Sequence, residues 1–248
     1  MTTAAEPTTP PPVPVAEKAS FWEDLIDIFY QPRAVFERRR NASAWPPFLF
    51  VVIAIGVITF ATYSTLEPAI TADMQRVMAK SMAQNPQMTQ EMADRTISMQ
   101  ATFGRYIAPL FLGILIAIVG LAAWLVSKMF SGREGAGQAI MITSYAYMPR
   151  VLGAIATGVM GLLMDPAKLT SMTVFSLGPA HFADSTTTSP LVMAVLQRLE
   201  IPLLWETVLL AIGVAVLGKI SRGKATAFGI LMWVLGGLWQ FRTAFLQS

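Results

Sequence analysis

The chain carries five apolar stretches of 17 to 26 residues with few charges inside them: Pro47–Leu66, Ile107–Phe130, Ala139–Met164, Ile201–Leu217 and Ala225–Leu246. An α-helix rises about 1.5 Å per residue, so about 20 residues cross a hydrocarbon core about 30 Å thick. Lipid offers no hydrogen-bond partner to a peptide group, and a lone apolar span satisfies its backbone internally only as a helix. A soluble core built from 248 residues, 13% of them charged, would have no room for five such segments. The reading is an all-α, polytopic membrane protein of five transmembrane helices, with an N-terminal amphipathic helix lying at the membrane interface.

Charge and residue types narrow the function classes. The formal charge is +3, but the cations flank the apolar stretches and form no soluble basic face, so nucleic acid is not expected as a partner. There is no cysteine, which excludes disulfides, thiolate metal sites and cysteine nucleophiles, and the single His181 excludes histidine-based metal sets. Gly132-Arg-Glu-Gly135-Ala-Gly137 joins two apolar stretches and does not follow a nucleotide-binding glycine pattern. His181 near Asp184 falls in a polar loop with no nucleophile in register. No catalytic residue, no enzyme activity and no cofactor are expected. Residues 1–19, rich in Pro, Thr and Ala, have neither the basic nor the apolar region of a secretory signal, and read as a disordered cytoplasmic tail. They act either as a spacer or as a proline-rich ligand for a partner domain.

Orientation follows from the positive-inside rule. With the N-terminus inside, the inner side holds ten cations: Lys18, Arg33, Arg38, Arg39, Arg40, Lys128, Arg133, Lys219, Arg222 and Lys224. The outer side holds seven, Arg76, Lys80, Arg95, Arg105, Lys168, Arg198 and Arg242, spread mainly through two long loops that also carry seven acids. The density of positive charge places the N-terminus inside and the C-terminus outside. Trp45, Trp205 and Trp239 fall near span ends, as an aromatic belt requires.

Before the first span, Ser20 followed by Glu23 makes a capping box that opens a helix. Phe21, Trp22, Leu25, Ile28 and Phe29 gather on one side of it, with Glu23, Asp24 and Asp27 opposite. Pro32 ends that helix and starts a second turn running into Arg38-Arg39-Arg40. The segment 20–40 therefore reads as an interfacial helix on the cytoplasmic leaflet, or alternatively as a helix that docks a protein. In the third stretch Pro149 removes a helical N–H and predicts a kink. Gly153, Ala154, Thr157, Gly158 and Gly161, with Gly113 and Ala117 in the second stretch, form small-xxx-small pairs that let helices approach closely.

Two groups of residues carry the remaining chemistry. Arg150 lies near mid-depth of the third stretch, where an arginine costs about 2.5 to 3.5 kcal/mol on insertion scales. Glu206 is the one acid within any stretch. Either the two pair and fix helix register, or they line a polar cavity with Tyr145, Tyr147 and Gln138, or Arg150 snorkels to the surface. The outer segment 67–106 reads as a helical hairpin turned at Asn85-Pro86 with methionines on one face. Met74, Met78 and Met82, spaced by four, are a weak candidate for a soft Cu(I) site, the alternative being an adaptable apolar face.

Leu25-x-Asp27-Ile28-Phe29-x-x-Pro32-x-x-x-Phe36 resembles the entry motif of the Yip1-domain (YIP1) family. Ser144-Tyr145 ahead of Pro149, Trp205 in the fourth stretch, and Gly218 with Ser221-x-x-Lys224-Ala225 before the fifth are similar to elements of the same family, and the likeness runs over about residues 21–246. The resemblance implies a five-helix membrane domain over 45–246 with a cytoplasmic N-terminus, and Leu25, Asp27, Pro32, Phe36, Tyr145 and Pro149 as motif positions. Eukaryotic relatives look like vesicle-traffic factors that engage Rab-type GTPases. This chain looks like a bacterial member, which has no such partner, and the resemblance places it in the inner membrane. Its expected role is that of a non-enzymatic scaffold, embedded in the lipid bilayer, that recruits an unidentified protein, a second copy included. The alternative is a transporter or channel with a polar site at Arg150 and Glu206.

Overall fold

The computed structural model describes residues 20–246 except 86 and 185. The tail expected to be disordered, 1–19, and Pro86 of the expected hairpin turn lie outside the described residues. Among the described residues every regular element is a helix. Two short helices come first, α1 (Phe21–Tyr30) and α2 (Pro32–Arg38), followed by two of 40 residues, α3 (Trp45–Gln84) and α4 (Gln90–Met129). Then come α5 (Ala136–Ala146), α6 (Met148–Leu163), three 3₁₀ turns between residues 166 and 182, α7 (Pro190–Arg198), α8 (Ile201–Leu217) and α9 (Arg222–Phe245).

Among the described residues three helical units are long and apolar enough to cross a membrane: α3, α4 and the pair α5–α6 taken from Ala136 to Leu163. A fourth joins them if α7 and α8, bent by 55°, are one broken span. The fifth apolar stretch also folds as a helix, α9, but Gln240, Arg242 and three glycines dilute its hydropathy and it falls outside that group. At about 1.5 Å per residue, α3 and α4 are each about 60 Å long, twice what a bilayer needs. The segment 67–106 is helical on both arms: it continues α3 and α4 past the span ends expected from the sequence, and the chain reverses between Gln84 and Gln90. Met74, Met78 and Met82 lie half-buried along this extension of α3.

The third stretch is broken, not merely kinked. α5 ends at Ala146, Tyr147 caps both halves, and Pro149 takes the first turn of α6, where its missing N–H has no partner to lose. The core gathers about α5 and α8: Met141, Ile142, Tyr145, Leu209 and Val214 are almost wholly covered, with Ile28, Val35 and Phe36 brought in from α1 and α2.

Close approach is set by glycines. A Cβ on Gly120 of α4 would stand 2.9 Å from the Cα of Ile140 in α5, a backbone atom that cannot turn away. Gly137, at the start of α5, has nothing within 4 Å of that position. Gly120→Ala should therefore destabilise the bundle by about 1–3 kcal/mol through overpacking. Gly137→Ala should leave it unchanged or stabilise it by up to about 1 kcal/mol through helix propensity. Thermal unfolding of the two variants in detergent measures the contrast, and equal midpoints would show that α4 and α5 are not in backbone contact.

Candidate functional site

At the N-terminal end of the bundle, α1 and α2 are docked by a buried charge. Ser20 Oγ accepts from the Glu23 N–H and Glu23 Oε2 accepts from the Ser20 N–H at 2.7 Å, so the capping box starts α1 and sets its rotation. That rotation turns Asp24 and Ile28, one helical turn apart, into the protein, both with no exposed surface. Arg38 Nε donates to Asp24 Oδ1 at 2.6 Å, Arg39 Nε donates to Oδ2, and the Tyr145 hydroxyl donates to Oδ2 at 3.0 Å. Arg38 also reaches Asp27 Oδ2 at 2.6 Å. Burial works against the Arg38 charge, but the hydrogen bonds to Asp27 and Asp24 outweigh it and hold the guanidinium pKa above its ordinary value.

Here the helical-wheel reading of α1 is corrected. Asp24, expected on the polar side, is among the most buried residues of the chain, and Ile28 faces the bundle. The outward apolar face is Trp22, Ile26 and Tyr30, which are 67%, 64% and 81% exposed. A buried carboxylate is tolerated only with several donors around it, and those donors come from α2 and α5, outside the α1 sequence.

Leu25, Asp27, Pro32, Phe36 and Tyr145 of the motif meet at this dock, where Tyr145 reaches Asp24 across 121 residues of chain. Leu25 packs half-buried against the core and Asp27 holds Arg38. Pro32 starts α2, and Phe36, fully buried, meets the Tyr145 ring edge-on at 6.2 Å. Gln138 Nε2 donates to the Arg40 carbonyl at 2.8 Å, tying the tri-arginine to the start of α5. Pro149 lies one turn further on, at the α5–α6 break.

The far end of the bundle holds a cavity of about 900 Å³ between α3, α4, α6, α7, α8, α9 and the connection 164–189. Its floor carries Arg150, whose Nε donates to Glu206 Oε2. The pair is lopsided: the Arg150 side chain keeps 39% of its surface, facing the cavity, whereas Glu206 keeps 7% and lies behind it. Arg150 also stands 4.9 Å from the Tyr147 ring centroid. Tyr145, in contrast, belongs to the dock at the other end, and Gln138 likewise, so neither joins Arg150 in one polar site.

Arg198 is the residue that sequence reading passed over, having been counted only as an outer-loop cation. It ends α7, is 7% exposed, donates to the Trp233 carbonyl, and lies 5.1 Å from the Trp233 ring centroid, while Trp233 Nε1 donates back to the Arg198 carbonyl at 3.0 Å. The available signal was its place three residues before Ile201-Pro202, where a cation must either reach water or be held by a neighbouring helix. In the connection, His181 Nδ1 lies 2.8 Å from the Val174 carbonyl, and Asp184 accepts from Thr186, which holds its carboxyl below the usual range. No hydrogen bond joins His181 to Asp184 among the described residues.

A family model described as the Yip1 domain matches residues 26–241 of the chain. The chain is also similar to the membrane protein YknW of Bacillus subtilis (strain 168), 25% identical over 214 residues that cover 84% of each protein. No solved structure matches.

Proposed function

The chain belongs to the Yip1-domain family of membrane proteins, and from that premise we propose that it is a non-enzymatic scaffold which presents its docked α1–α2 unit to partners at the cytoplasmic surface. The observation that carries this reading is the burial of Asp24 beneath Arg38, Arg39 and Tyr145. An ion pair that ties two short helices to the third span makes a rigid platform, where a free amphipathic helix would move with the lipid. Trp22, Ile26 and Tyr30 then form one outward stripe at the level of the leaflet, suited to lipid on one flank and to a protein on the other. The bilayer is bacterial inner membrane, the N-terminus is inside, α9 is the fifth span, and the C-terminus is outside.

Reporter fusions test the orientation. A reporter after residue 248 should be active outside, and one inserted between Ser131 and Gly135 active inside. The reverse pattern would overturn the charge count. For recruitment, a photo-crosslinker at Tyr30 should capture protein in native membranes and lose that capture in Asp24→Leu, whereas crosslinks to lipid alone would sink the partner role.

The far-end cavity favours a second reading, a transporter or channel built about Arg150 and Glu206. Flux in proteoliposomes that is abolished by Arg150→Ala, with folding intact, would replace the scaffold reading with this one.

A further inference from the structure

We propose that the far-end cavity binds one amphiphilic anion, its phosphate or carboxylate head seated at the floor between Arg150 and Arg198. The inference concerns binding alone and goes beyond both readings above, since a bound anion that is never moved leaves it intact.

Charge is the first argument. Arg76, Lys80, Arg150 and Arg198 line the cavity against Asp73 and Glu200, with Glu206 behind Arg150, so four cations meet three carboxylates. Two of the cations are satisfied: Arg76 is held by Asp73 and the Thr170 carbonyl, and Arg150 by Glu206. Lys80 makes no ion pair or hydrogen bond among the described residues. Among the described residues Arg198, nine-tenths buried, engages only a carbonyl and a ring, and its Nε, packed beside Gly237 of α9, has no hydrogen-bond partner. A guanidinium withdrawn from water with no carboxylate in contact is poorly compensated, and an oxyanion from outside supplies what the protein lacks. Arg150, exposed toward the cavity while still tied to Glu206, can turn spare N–H groups to the same anion.

Size and lining give the rest of the ligand. A bare phosphate would leave most of about 900 Å³ empty, and a volume of that order suits a drug-sized organic molecule. Ile55, Leu112, Phe175 and Leu203 supply apolar wall, and Thr157, whose hydroxyl makes no hydrogen bond among the described residues, adds a donor. Phosphate on an apolar body is the shared chemistry of a phospholipid and of a soluble amphiphile.

The two sources are separated with the full chain purified in dodecyl maltoside. In one arm dodecyl phosphate is titrated, with inorganic phosphate beside it, and the thermal midpoint is followed, since a ligand that binds the folded state raises it saturably. In the other, the protein is placed in phosphatidylcholine nanodiscs with or without phosphatidylglycerol, and native mass spectrometry counts retained lipid. Saturable one-to-one binding in the first arm assigns a soluble amphiphile, and retention of one phosphatidylglycerol in the second assigns a lipid. In either case Arg198→Gln and Arg150→Lys should each weaken binding at least tenfold, and Arg133→Gln, at the opposite end, should not. Arg150→Lys, which leaves a cation beside Glu206, keeps the test valid if Arg198→Gln fails to fold. Absence of saturable binding in both arms overturns the proposal, as does binding that survives both substitutions or stabilisation by inorganic phosphate that is equal in Arg198→Gln.

Discussion

Replacing Asp24 by leucine is expected to loosen the α1–α2 dock and to remove about 2–4 kcal/mol of stability. Breaking a buried ion pair by taking away one partner typically costs about 3–5 kcal/mol. The full figure does not apply here, because Arg38 and Arg39 keep 27% and 25% of their side-chain surface and can turn back to water. Tyr145 has no such escape: it is 1% exposed, and its hydroxyl would lose its acceptor at about 1–3 kcal/mol. Asp24→Asn keeps an oxygen for Tyr145 but no charge for the arginines, so it should fall between the wild type and Asp24→Leu. Tyr145→Phe removes donor and need together and should be milder still, at about 1 kcal/mol. Denaturant unfolding in detergent orders the three. Limited trypsin digestion adds a local readout, because Arg38 and Arg39 are held in ion pairs with Asp24 only while α2 is docked, and cleavage there should accelerate at least tenfold in Asp24→Leu. A cleavage rate equal to wild type would mean that Asp24 does not hold the dock.

The second large effect is an asymmetry at the cavity floor. Arg150→Met strands Glu206, which is 6% exposed, and should destabilise the protein by about 3–5 kcal/mol. Glu206→Gln leaves Arg150 charged but already open to the cavity, where water or an anion can take over, and about 1–2 kcal/mol is expected. The double variant should lose far less than the sum of the singles, with a coupling energy of about 1–3 kcal/mol. Equal losses in the two single variants would place Arg150 in a closed pocket. A coupling near zero would mean that the two side chains do not act as a pair. Because the chain has no native cysteine, a single cysteine at position 150 reports directly on whether the floor is reached from the far side.

Features that depend only on nearby residues and the solvent were readable from the amino-acid order. The apolar runs had to become helices because lipid leaves a backbone no other partner. Ser20 with Glu23 marked the start of α1, and Pro149 the place where the third stretch breaks, because capping and a missing N–H act within one turn. Arg150 and Glu206 were visible as charges in apolar surroundings, where any charge stands out. That the arms of the 67–106 hairpin run unbroken into the spans, as single helices α3 and α4, was not readable in the same way. Hydropathy marks where lipid ends but does not say that the helix stops there, and polar residues such as Gln75, Arg76 and Lys80 continue a helix in water as well as a loop.

Burial of individual charges was decided at longer range. On a helical wheel Asp24 belongs to the wet side, and only Arg38, Arg39 and Tyr145, the last 121 residues away, make its burial affordable. Arg198 looked like one more loop cation until α9 brought Trp233 against it. The energy of a buried charge is a sum over partners distant in the chain, and the cavity above Arg150 is the space left between six helices and a connecting segment. Local patterns cannot encode either quantity, because both come into being only when the helices pack.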